Sequence, residues 1–169
     1  EAIVLVRESE TGHVRFASSE ITTSGEVSAT DVQLSLAFGR RHATSTVDQT
    51  DEASLASFVA RTAELARASP EDPEWLAPLA PQRYVQNARA WDERTAALSP
   101  ARRAAWARAA IARAEGAVCA GYIESRARRS TLATTTGLRA EHRGTWATMT
   151  TTMRTPDGKG SGWAGAEAT

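Results

Sequence analysis

Residues 32–68 read VQLSLAFGRRHATSTVDQTDEASLASFVARTAELARA, and the hydrophobic period changes inside them. Val32, Leu34, Leu36 and Phe38 alternate with Gln33, Ser35 and Ala37, as in a strand with one buried face. Gly39 admits a turn or bulge before residues 41–47 return as a second strand. From Leu55 the spacing becomes i, i+3, i+4, i+7, i+10 and i+11 through Phe58, Val59, Thr62, Leu65 and Ala66. That is one face of a helix, predicted over about 52–68, with Asp51 and Glu52 placed at the positive end of its dipole.

Toward the N-terminus, Ile3 to Val6 is a short β-rich run, Glu10-Thr11-Gly12 reads as a turn, and Val14 and Phe16 alternate with His13 and Arg15. A hairpin is predicted there, so four strands open the chain. Toward the C-terminus, Ser69-Pro70-Glu71-Asp72-Pro73 stops the helix, and Pro78 and Pro81 keep the next stretch a loop. A shorter helix is predicted over 87–98. Ser99-Pro100 offers an N-cap followed by Pro at the first helical position, and Ala104, Ala107, Ile111 and Ala114 then form a small-residue stripe beside Trp106 until Gly116. Three further strands are predicted, at 118–123, around Leu132 as far as Gly137, and at 146–154, with Pro156-Asp157-Gly158 as a turn that Gly160 and Gly162 prolong. The order β-β-β-β-α-α-β-β-β implies an α+β fold, a largely antiparallel sheet with two to three helices packed on one face.

The core is thin, because about half of the hydrophobic residues are Ala. Zero net charge and strong periodicity still favour a folded chain over a disordered one. The zero hides an asymmetry, with acids in excess over residues 1–82 and bases, nearly all Arg, in excess over 83–169. A basic half without interleaved aromatics on a recognisable module is not a specific nucleic-acid footprint. No run is long enough to span a bilayer. A single cysteine, Cys119, and no charged-then-apolar leader point to the cytoplasm. Glu1 in place of Met and the Gly- and Ala-rich end over 160–169 read as a chain trimmed at both ends.

Hydrolysis at zinc needs two or three ligands converging on the metal beside a water site. His13, His42, His142 and Cys119 show no such spacing, and Glu141-His142 has no second His after it. Cys119 reads as a small buried side chain. Catalytic and metal residues are therefore both read as none. Gly160-Ser161-Gly162-Trp163-Ala164-Gly165 matches G-x-G-x-x-G in letters, but nothing behind it supplies the helix and acidic residue of a dinucleotide fingerprint, and it reads as loop. Trp75 and Trp163 lie outside the periodic segments, either as interface anchors or folded back on a poor core.

Two stretches carry a resemblance. Val14-Arg15-Phe16-Ala17-Ser18-Ser19-Glu20-Ile21 resembles the early strand segment of the TldD/PmbA family, the modulators of DNA gyrase. Residues 125–166 resemble that family's passage before its second domain, through Ala133-Thr134-Thr135-Thr136-Gly137-Leu138, Glu141-His142-Arg143 and Arg154-Thr155-Pro156-Asp157-Gly158-Lys159 with the glycine run behind it. The resemblance implies that residues 1–169 are a single N-terminal domain and 156–169 a Gly-rich linker toward a missing C-terminal domain. It implies a zinc metallopeptidase, a homo- or heterodimer enclosing a chamber in which short or unstructured peptides are cut. The family's zinc ligands, a His-Glu-x-x-x-His helix and a distant Cys, are not in this sequence, so zinc is implied for the full-length family and no cofactor for this chain. Trp75, Trp163, Arg154 and Asp157 are the candidate interface residues. The alternative is a non-catalytic module that binds a protein or nucleic-acid partner.

Overall fold

The computed structural model describes residues 1–85 and 87–169. Six strands, β1 (Ala2–Ala17), β2 (Glu20–Phe38), β3 (Arg41–Val47), β4 (Val118–Thr134), β5 (Arg139–Arg154) and β6 (Ser161–Ala168), form one sheet in the order β3-β2-β1-β4-β5-β6. Helices α1 (Glu52–Ala68), α2 (Glu93–Ala96) and α3 (Pro100–Ala112) lie between the two strand blocks in sequence. β2 and β3 pair antiparallel from Val32 with Val47 to Phe38 with Arg41. β5 and β6 pair antiparallel from Ala147 with Ala168 to Arg154 with Ser161. The central β1 and β4 are tied at opposite ends, Ser19 N to Cys119 O at 2.9 Å and Thr135 N to Ala2 O at 3.0 Å. The α+β, antiparallel expectation holds.

The chain clusters into two compact units, one of residues 1–8, 29–85 and 129–142, the other of 9–28, 87–128 and 143–169. In the first, α1 packs on β3. Asp51 caps α1 by accepting from Ser54 N at 3.0 Å, and Phe58, Thr62 and Ala66, one above the other at i, i+4 and i+8, are its buried face. The buried Thr62 hydroxyl is satisfied by donating to Phe58 O at 2.8 Å. The Pro-rich loop behind α1 is laid on its own unit: Asp72 N donates to Arg40 O at 2.9 Å, Arg40 Nη2 to Pro73 O at 2.7 Å, and Thr136 Oγ1 to Leu79 O at 2.7 Å.

In the second unit α3 begins as its sequence dictates, with Ser99 accepting from Arg102 N and Pro100 at the first turn. Ala107 of α3 and Ala114 just past its end are buried against Val14, Phe16, Cys119 and Ile123, with Trp106, Ile111, Met149 and Met153 around them. The small residues of the stripe thus let the helix lie close to the sheet.

Four expectations fail. β1 runs straight through Glu10-Thr11-Gly12, so three strands rather than four open the chain. The real turn is Ser18-Ser19, both at positive φ (51° and 61°), where no glycine marks it. The runs at 118–123 and Leu132 are one strand, β4. The helix expected over 87–98 breaks in two, because Asn87 caps a short 3₁₀ turn (Ala88–Ala90) and Asp92 then caps α2, with Trp91 extended between. Finally, the Gly-rich end is not loop: Ser161–Ala168 pairs along β5 as β6. Its glycines and alanines hid the alternation that marks a strand.

Candidate functional site

In the second unit, β1 and β4 turn even and odd positions to opposite faces. The α3 face carries Gly12, Val14 and Phe16 of β1 with Cys119, Ile123 and Ser125 of β4, all buried. Arg103 of α3 reaches into this face and is only 1% exposed. Its guanidinium lies where a side chain of Gly12 would stand. Nη1 donates to Leu98 O at 2.5 Å and to Ser125 Oγ at 2.9 Å, Nη2 donates to Glu26 Oε1 at 2.7 Å, and Nε has no partner. Beside it opens a polar cavity of about 240 Å³, whose lining includes Glu10, Thr11, Ser28 and Thr95. Sequence reasoning missed this site, taking Gly12 for a turn glycine and leaving Arg103 unmarked among the arginines of the basic half. The glycine inside a strand was the usable signal, since it marks close approach by another group.

The opposite face carries His13 and Arg15 beside Tyr122, with ring centroids of His13 and Tyr122 5.9 Å apart and the Arg15 guanidinium 5.8 Å from the Tyr122 ring. Tyr122 donates to Glu124 Oε2 at 2.8 Å, and Arg126 bonds Glu124 Oε1 at 3.1 Å. Burial, and then this bond to an anion, push the Tyr122 hydroxyl above its ordinary range.

Three of the four candidate interface residues, Arg154, Asp157 and Trp163, belong to one hairpin, β5–β6, and Trp75 belongs to the other unit. Trp75 is half-buried and folds back on its own unit, stacked on His42 with centroids 4.4 Å apart, while His42 Nε2 meets Asp72 Oδ2 at 2.8 Å. Trp163 stands on edge strand β6, 69% exposed. Arg154 ends β5, and Asp157 belongs to the β5–β6 turn, where it accepts from Thr155 Oγ1 and from Lys159 N and is thereby held below the usual carboxylate range. Thus the sequence motif around Arg154–Gly160 is a hairpin turn, and Ala133–Leu138 is the end of β4 with the β4–β5 turn behind it, Gly137 at φ 90°.

Zinc does not fit these residues. Among the described residues no three of His, Cys, Asp and Glu are grouped as a metal would need. Cys119 is buried with its thiol 3.4 Å from Thr151 Oγ1. No helix of the described residues is long and apolar enough to cross a membrane.

No protein-family model and no curated protein matches the sequence. Solved structures do. Thermococcus kodakarensis TldE superposes with a TM-score of 0.88 over 98% of this chain at 16% identity. The fold is that of the TldD/PmbA family. Two chains assigned as candidate modulators of DNA gyrase superpose over the same share, one from Bacteroides thetaiotaomicron (TM-score 0.80, 17% identity) and one from Thermotoga maritima (0.77, 12%). The resemblance read from the motifs and the TldD/PmbA fold agree. This chain spans 39% of the length of TldE and of the Bacteroides chain.

Proposed function

We propose that this chain acts as the non-catalytic N-terminal domain of a TldD/PmbA-type zinc metallopeptidase, or of its zinc-free partner subunit, in the cytoplasm. In this reading it forms wall and subunit contacts of a chamber in which short or unstructured peptides are cut. The zinc and its ligands then belong to a C-terminal domain, and residues 156–169 lead toward it. The observation that carries the reading is the superposition on TldE, which takes in nearly all of this chain and only 39% of that one. The exposed edge of β6, with Trp163 standing from it, suits a subunit contact, since an unpaired edge strand otherwise invites aggregation.

The test is the reading frame past codon 169, followed by the complete protein. We expect a second domain in that frame. We also expect the complete protein, alone or with a co-purifying subunit, to cleave an unstructured peptide in a chelator-sensitive way, while residues 1–169 alone bind no stoichiometric zinc and cleave nothing. One zinc per chain in chelator-washed 1–169, or a frame that closes without a second domain, overturns the proposal.

A further inference from the structure

Arg103 is the only charged side chain in the buried set of the described residues, and its surroundings differ from those of a closed structural ion pair. A guanidinium removed from water needs a counter-charge. Here that counter-charge is Glu26 of β2, whose own side chain is 60% exposed. The cation is thus fixed in the floor of the unit by Leu98 O and Ser125 Oγ, while the position of its anion is open to solvent. Glu26 also uses the guanidinium incompletely: one carboxylate oxygen meets Nη2 at 2.7 Å, and Nε is left without a partner. The Nε and Nη2 protons of arginine point the same way and are spaced for both oxygens of one carboxylate. The missing side chain at Gly12 leaves room for the guanidinium at this point of β1.

The adjoining cavity, about 240 Å³, has the volume of roughly eight waters. Ser28, Thr95 and Ser125 are among the residues that line it, together with Glu10, while the Thr11 hydroxyl is taken by Arg126 on the other face of β1. Glu10 raises the cost of a second negative charge, so a dianion is disfavoured. A single carboxylate next to an N–H donor suits this lining, because the anion can lie on Arg103 while the donor finds a hydroxyl or carboxylate oxygen. The last residue of a peptide has that chemistry.

We propose that the Arg103 pocket is a binding site for a monocarboxylate, the free C-terminal end of a peptide, and that Glu26 occupies the place of that carboxylate until it is displaced. The proposal rests on this pocket alone and stands whether or not the chain serves a peptidase chamber.

The test compares the parent chain with Glu26→Gln, which keeps the shape and removes the competing charge, at constant ionic strength. The probes are N-acetyl-dialanine with a free carboxylate, the same peptide as its amide, and succinate, titrated by NMR or calorimetry and followed by thermal melting. Glu26→Gln should melt lower than the parent, bind N-acetyl-dialanine at least tenfold more tightly than the parent does, and regain melting temperature as it binds. The amide and succinate should each bind at least tenfold more weakly than the acid. Arg103→Lys, which keeps the charge and loses the fork, should lose the gain. Should that variant not fold, Ser125→Ala on the Glu26→Gln background should weaken binding severalfold. No binding to Glu26→Gln at millimolar acid, or equal affinity for acid and amide, overturns the proposal. Succinate binding more tightly than the peptide acid overturns the assignment to a peptide end.

Discussion

At the scale of single residues, space around glycines separates necessity from tolerance. A Cβ on Gly12 would enter the Arg103 guanidinium, and one on Gly121 would meet Thr150 O and the Phe16 ring, whereas one on Gly162 meets nothing within 4 Å. Gly12→Ala and Gly121→Ala should therefore each lose about 1–3 kcal/mol by overpacking, with Gly121 the worse because backbone cannot step aside, and Gly162→Ala should be neutral. Denaturant unfolding of the three variants checks the order. Charge acts at the same scale in Asp92, whose carboxyl is held down to about 2 by the Arg94 guanidinium and then by the N–H groups of Arg94 and Thr95. A carboxyl depressed in the folded state stabilises above its unfolded pKa, near 4, and that contribution is lost as pH falls toward 2. Asp92→Asn should melt lower than the parent at pH 5 and above, where the contribution is fully present, and the difference should shrink as pH falls toward 2.

At the scale of elements, the local signals that proved readable were those with a mechanism confined to a few residues. α1 was legible because its period and its cap coincide: Asp51 accepts from Ser54 N at 3.0 Å, and Phe58, Thr62 and Ala66 are the buried face. α3 was legible through Ser99-Pro100 for the same reason. The features that stayed hidden depend on partners distant in sequence. Gly12 sits in a strand because Arg103, far along the chain, fills its space, and β6 is a strand because β5 supplies its ladder, not because Gly and Ala favour one. The Arg103 site was illegible for that reason, being assembled from β1, β2, β4 and the start of α3. Caps, in contrast, should behave locally. Ser99→Ala should fall in the lower part of the range of about 0.5–2 kcal/mol for a lost cap, because its bond to Arg102 N is 3.3 Å long. Asp51→Ala, which removes the shorter bond to Ser54 N, should destabilise more than Ser99→Ala. Helicity by circular dichroism, followed through denaturant, distinguishes them.

At the scale of the whole molecule, the split of charge between the two halves of the sequence is softened in the fold. In the basic half, Arg94 pairs with Asp92, Arg126 with Glu124 and Arg143 with Glu93, and Arg103 is withdrawn from the surface onto Glu26. Arg102 and Arg143 also lie over the rings of Trp106 and Trp91, at 5.9 and 4.9 Å from their centroids. Trp91 and Trp106, covered by arginines of their own chain, are not presented as platforms for bases. Trp163, the exposed indole among the described residues, is a single platform and not the row of stacking aromatics that single-strand binders rely on. With a net charge of zero, no long-range field draws a polyanion in. Residues 1–169 should therefore bind duplex or single-stranded DNA no more tightly than about 10⁻⁴–10⁻⁶ M at physiological salt, the range of non-specific contacts, and with no preference among sequences. A fluorescence-anisotropy titration at two salt concentrations checks this. Sub-micromolar, sequence-dependent affinity would instead place a nucleic-acid partner on this chain and favour an interaction module over a chamber wall.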